Sequence, residues 1–141
     1  MRLVVDANIL FSFFRDNPVR SIILFSENLG LELFAPAHVI DELRKNIPDL
    51  IKYTKLSSNE ISEIMEELKE YVYVYKSSVY EDFKEKGQEL SPHDSDKDTP
   101  YFSLALKLEC GIWSNEPGFK KQSKVRIFNT RDLRELLDKD F

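Results

Sequence analysis

The chain has 141 residues, 42% hydrophobic and 32% charged, with only 4 Gly and 6 Pro: the composition of one folded domain (1–141) with a real core, not of a disordered or fibrous chain. Its one cysteine, Cys110, excludes an internal disulfide and, with no C-x-x-C pair, a zinc ribbon or finger. A net charge of −5 argues against gripping a polyanion by bulk electrostatics. The amino-terminal apolar run carries an acid, unlike a signal peptide, and nowhere do about 18 apolar residues run together, so a soluble, cytoplasmic protein is expected.

In chain order, Leu3-Val4-Val5 is a short β-rich run that ends at Asp6. A helix over Ile9 to Phe14 is broken at Asp16-Asn17-Pro18, and a second, Val19 to Leu29, is stopped by Gly30. Leu31 to Phe34 reads as a strand, and Pro36 suits the first turn of a helix that turns Val39, Ile40 and Leu43 inward. After Pro48 the pattern is mixed, with no clear period. Ser57 and Glu60 then form a capping box for a helix striped with Ile61, Ile64, Met65 and Leu68.

Tyr71 to Tyr75 is a strong strand signal, more suited to core and dimer surface than to a stacking platform; Glu81 to Glu89 is a charged, solvated helix; Ser91 to Asp98 is a polar loop. Thr99-Pro100 opens a nearly buried helix, Tyr101 to Leu108, ended by Gly111. Ile112-Trp113 is a short buried strand, Val125 to Phe128 the last one, and Asn129 caps a closing helix with Leu133, Leu136 and Leu137 inside. Alternating strands and helices predict an α/β domain with a largely parallel sheet.

Four acids stand where such an architecture brings side chains together. Asp6 and Glu116 lie at or just past the carboxyl ends of strands, where open parallel sheets place their ligand sites. Asp98 immediately precedes a helix. Glu42 falls on the flank of its helix, at ~100° per residue, while Asp41 points further toward solvent. Clustered carboxylates repel one another, and Mg²⁺ or Mn²⁺, one ion or two, relieves that repulsion with the oxygen ligands hard cations prefer. Two such ions can serve both oxygens of an in-line displacement at phosphorus. No Ser–His pair and no Gly-rich phosphate loop competes with this reading.

The stretches that carry these acids resemble the motifs of the PIN-domain family of nucleases, which includes the VapC-type toxins. Val4-Val5-Asp6-Ala7-Asn8-Ile9-Leu10 looks like the opening motif, and Ala37-His38-Val39-Ile40-Asp41-Glu42-Leu43 is similar to the second. Asp98-Thr99-Pro100-Tyr101-Phe102-Ser103-Leu104-Ala105 is close to the third, and Ile112-Trp113-Ser114-Asn115-Glu116-Pro117-Gly118-Phe119 resembles the fourth, with Glu116 where the family usually has Asp. The resemblance implies a central parallel sheet of order 3-2-1-4-5 and catalytic, metal-holding roles for Asp6, Glu42, Asp98 and Glu116. It also implies single-stranded RNA as the usual substrate, frequent homodimers and sometimes an antitoxin partner; hydrolysis by a metal-bound water would leave 5′-phosphate and 3′-hydroxyl ends.

Other residues carry two readings each. Asn8 and Ser114 suit support of the metal ligands or ordinary turn positions. Asp96 is an accessory metal acid or a loop acid. The series Asp94, Asp96, Asp98 fails as a calcium loop, since Thr99 stands where that loop needs Gly and Ala105 where it needs Glu. Lys120, Lys121 and Lys124 suit RNA phosphates or a plain surface. His38 reads as a half-buried helix residue and His93 as a loop histidine. Two rivals remain: a non-catalytic RNA-binding module on the same fold, and a phosphoacceptor or phosphatase domain. The latter needs a second acid next to Asp6 or two residues after it, where Ala7 and Asn8 stand.

Overall fold

Leu3, Val4 and Val5 have no exposed surface, and this unbroken apolar run marks a strand covered on both faces. In the computed structural model, which describes residues 1–92 and 96–138, that run is β1 (Arg2–Val5) at the centre of a five-stranded, all-parallel sheet. Along the chain follow α1 (Ala7–Ser12), α2 (Pro18–Leu24), β2 (Glu32–Pro36), α3 (His38–Lys45), α4 (Ile47–Thr54) and α5 (Ser58–Leu68). Then come β3 (Val72–Tyr75), α6 (Ser77–Tyr80), a 3₁₀ turn (Glu81–Phe83), α7 (Lys84–Leu90) and α8 (Thr99–Leu108). The chain closes with β4 (Gly111–Trp113), a second 3₁₀ turn (Pro117–Lys121), β5 (Ile127–Phe128) and α9 (Thr130–Asp138).

The strand order is β3-β2-β1-β4-β5, as the family resemblance implies. Val4 pairs in register with Phe34 on one side and Ile112 on the other, so strand order reverses at β1. The crevice between the carboxyl ends of β1 and β4 is therefore the switch point at which α/β sheets place ligands. The buried α8 lies across β1, β2 and β4, with Tyr101, Phe102 and Leu104 inside.

Several boundaries differ from the sequence reading. Pro36 ends β2, paired in register with Tyr75, and does not open a helix. A strand's last residue tolerates proline because the next amide, Ala37 N–H, donates to Tyr75 O instead. The mixed stretch after Pro48 is α4, with Pro48 in its first turn and Leu50 buried. The α2 helix ends at Leu24, short of Gly30, whose φ of +71° sits in a turn. Glu109, in the left-handed region, caps α8, and Gly111 instead begins β4. Both caps hold: Ser57 and Glu60 bond reciprocally, as do Asn129 and Asp132. His93 and Asp94 lie outside the described residues.

Gly87 lets α7 pack closely on α8, the helix that begins beside Asp98. A Cβ at residue 87 would stand 2.3 Å from Ser103 Oγ and 2.9 Å from Ser103 N. Gly87→Ala, which should help an isolated helix, is thus expected to destabilise this protein by about 1–3 kcal/mol in urea denaturation.

Candidate active site

Asp6 is both a helix cap and a cleft residue. As α1 begins where β1 ends, its Oδ1 accepts the Ile9 N–H at 2.9 Å, so the cap reading of this acid is correct as far as it goes. Its Oδ2, however, accepts the hydroxyl of Ser114, from just past β4. Ser114 in turn accepts the Glu116 N–H at 3.1 Å. One buried hydroxyl thereby joins the first and fourth motifs across the switch point.

Asp6, Glu42, Asp98 and Glu116 all line a single cleft of about 190 Å³ at this point, together with Asn8, Lys97, Tyr101 and Phe119. Glu42 comes from the flank of α3, Asp98 from the residue before α8, and Glu116 from the residue before the second 3₁₀ turn. Gly118 packs against Pro92, where a Cβ would meet Pro92 Cβ at 3.0 Å, and this holds the Glu116 turn close.

The electrostatics are those of a crowded anionic site. Burial pushes the Asp6 carboxyl up to about 6, and the charges of Asp98 and Glu116 add to it, against the Ser114 and Ile9 hydrogen bonds that pull it down. Tyr101 has its hydroxyl pushed well above the ordinary phenol range by burial first, then by Glu42, Asp6 and Asp98. That hydroxyl accepts the Ala7 N–H at 3.1 Å and stays protonated among three carboxylates. The sequence reading took Tyr101 only as core; its place in a mostly apolar helix hid the hydroxyl's surroundings. Lys97, also passed over, is a cation at the same cleft, and its position next to the third acid was the available signal.

His38 sits beside the cleft as well. Its ring packs 5.1 Å from Tyr101, and Nε2 lies 3.0 Å from Glu42 Oε1. The distance is that of an ion contact, but the N–H is misaligned, and neither ring nitrogen makes a hydrogen bond among the described residues.

Other candidates stand apart from the cleft. Asp96 accepts a bond from Gln88 Nε2 at 3.0 Å and lines the neighbouring hollow that His38 borders. Lys120 pairs with Asp132 of α9, holding that carboxyl below its usual range. Lys124 lines a hollow with Gly111 and Arg126, at the amino ends of β4 and β5. Lys121 is exposed in the second 3₁₀ turn.

A buried, hydrogen-bonded carboxylate at the switch point of a parallel sheet, ringed by three further acids, defines an acidic α/β site of the nuclease type. The PIN domain family model matches residues 4–137, and the chain belongs to that family. PIN domains are generally nucleases and typically use divalent metal ions. No curated protein matches the chain significantly.

Whether the residues suit such an ion can be judged from their chemistry. The four acids of the cleft offer only carboxylate oxygens, the ligands a hard cation prefers, and Asp98 and Glu116 add to the burial that disfavours the charged form of Asp6. As they stand, no three His, Cys, Asp or Glu side chains among the described residues come close enough together to hold an ion. The donor set therefore fits a hard cation in kind. Its spacing remains more open than a closed coordination sphere.

Ionised Asp6 costs the metal-free fold stability, because its proton is bound more tightly in the folded chain than in the unfolded one. That cost is full above the folded value of about 6 and gone below the unfolded value of 3.8. Asp6→Asn is expected to stabilise the metal-free protein at pH 7.5 by about 2–3 kcal/mol. Urea denaturation across pH should show that gain shrinking between pH 6 and 4 and absent at still lower pH.

Proposed function

We propose that this PIN domain is a Mg²⁺- or Mn²⁺-dependent endoribonuclease that hydrolyses single-stranded RNA in the cleft lined by Asp6, Glu42, Asp98 and Glu116. One observation carries the reading: four carboxylates from four distant segments line the same cleft, one of them the buried Asp6, whose proton affinity is raised by burial first and then by Asp98 and Glu116.

In this reading the four acids hold one or two cations. When bound, these supply the positive charge that offsets the acids and the phosphate, and activate water for attack at phosphorus. Asp6 is the fixed member, because two hydrogen bonds orient it and burial keeps water from competing. Ser114 positions both Asp6 and the backbone of Glu116. Lys97 and Asn8, at the cleft, meet the phosphate backbone beside the cut; Lys121 and Lys124 would serve RNA farther from it. The Tyr101 hydroxyl, held protonated and fixed by Ala7, remains a donor at the base of the cleft.

A second reading, RNA binding without cleavage, draws on the open spacing of the acids. Cleavage of an end-labelled single-stranded RNA pool separates the two. Cutting is expected with Mg²⁺ or Mn²⁺, to vanish with EDTA and in Asp6→Asn, and to fall by about 10–100-fold in Ser114→Ala, the range for loss of support behind a metal ligand. Since water rather than the 2′-hydroxyl attacks, a 2′-deoxyribose at the cut should still be cleaved. Failure of a folded, metal-supplemented wild type to cut any RNA, while still binding it, would favour the second reading.

A further inference from the structure

We propose that Phe11, Tyr53 and Arg15 form a base-stacking subsite beside the cleft, which takes the unpaired base and adjoining phosphate of a nucleotide flanking the cut. The inference deepens the ribonuclease reading above and rests on it.

Phe11, in the same short helix that Asp6 caps, lines the acidic cleft itself. Its ring centroid lies 5.6 Å from that of Tyr53 in α4, with the planes tilted by 36°. The Arg15 guanidinium stands 4.7 Å over the Tyr53 ring. The three side chains therefore make a continuous tract that begins in the cleft and ends in solvent. Core packing does not account for it, since Tyr53 is 38% exposed and Arg15 is exposed. Among the described residues, the other exposed large apolar side chains are Met1, Phe25, Ile51 and Tyr73, and none of these lines the acidic cleft or makes a ring contact with a residue that does.

Charge favours the same occupant. Residues 44–55 carry Arg44, Lys45, Lys52 and Lys55, all exposed, against one acid, Asp49, in a chain of net charge −5. This basic stretch adjoins the cleft through Asn46, which lines it. Sequence-tolerant binding of single strands needs an aromatic face for a base and positive charge for the backbone. An arginine held over a surface ring is weakly committed, so Arg15 can exchange the ring for a phosphate as a base arrives. A base paired within a duplex offers no free face. The subsite therefore selects for unpaired RNA.

The test uses wild-type protein and a short single-stranded RNA that it cleaves, with 2-aminopurine placed at each position in turn. On rapid mixing in Mg²⁺, before cutting, one position beside the cut should be quenched by stacking. That quench should be lost in Tyr53→Ala and kept in Tyr53→Phe. Steady-state cleavage by Tyr53→Ala should show KM raised about tenfold with kcat unchanged, the effect of losing one base–aromatic stack. Thermal melting checks that the variant is folded, and the wild-type quench needs no variant. If no position is quenched, or Tyr53→Ala cleaves with wild-type KM, the subsite is refuted while the nuclease reading stands. A wild type that cuts no RNA overturns both, and the cleavage control makes that failure recognisable.

Discussion

The arrangement depends on one carboxylate kept out of water at the point where the sheet reverses its order. Asp6 is 4% exposed, yet it accepts from the first turn of α1 and from Ser114 beyond β4. Tyr101 bonds the neighbouring Ala7 amide and so brings α8 to the same turn. A strand end, two helices and the loop after β4 are thus organised around a group that the interior of a protein disfavours in its charged form. The fold accepts that cost in a place where a proton or a cation would relieve it. This is how local strain in the electrostatics becomes a preference for a ligand.

Much of this architecture was legible in the residues. The uninterrupted Leu3-Val4-Val5 run marked a covered central strand, and the Ser57–Glu60 and Asn129 caps placed two helix starts. The four acids were found through their motifs and meet at one cleft. What escaped was set by partners far away in sequence. Tyr101 reads as apolar packing until Ala7, ninety-four positions earlier, meets its hydroxyl. Lys120 reads as a free base until Asp132 folds against it. The α4 helix was missed because its basic and aromatic residues blur the helical period, and only the burial of Leu50 against the rest of the fold declares the inward face.

Charge is also distributed more purposefully than the total suggests. The acids at the switch point and the bases of residues 44–55 occupy neighbouring ground that meets at Asn46, within a chain that is acidic overall. The net charge describes solubility and long-range repulsion. It says little about what happens within a few ångströms of the cleft, where the sign of each side chain counts separately.

Trp113 gives the molecule one further property. It is the chain's sole tryptophan, has no exposed surface, donates its indole N–H to Thr130 at 3.1 Å and directly precedes Ser114. Its emission therefore comes from a single, dry environment and carries no surface background. Because the ring is tied to α9 and the Trp113 backbone runs directly into the Asp6-bonded serine, the protein contains its own optical gauge. That gauge should register both the detachment of its closing helix and any rearrangement at the heart of the sheet.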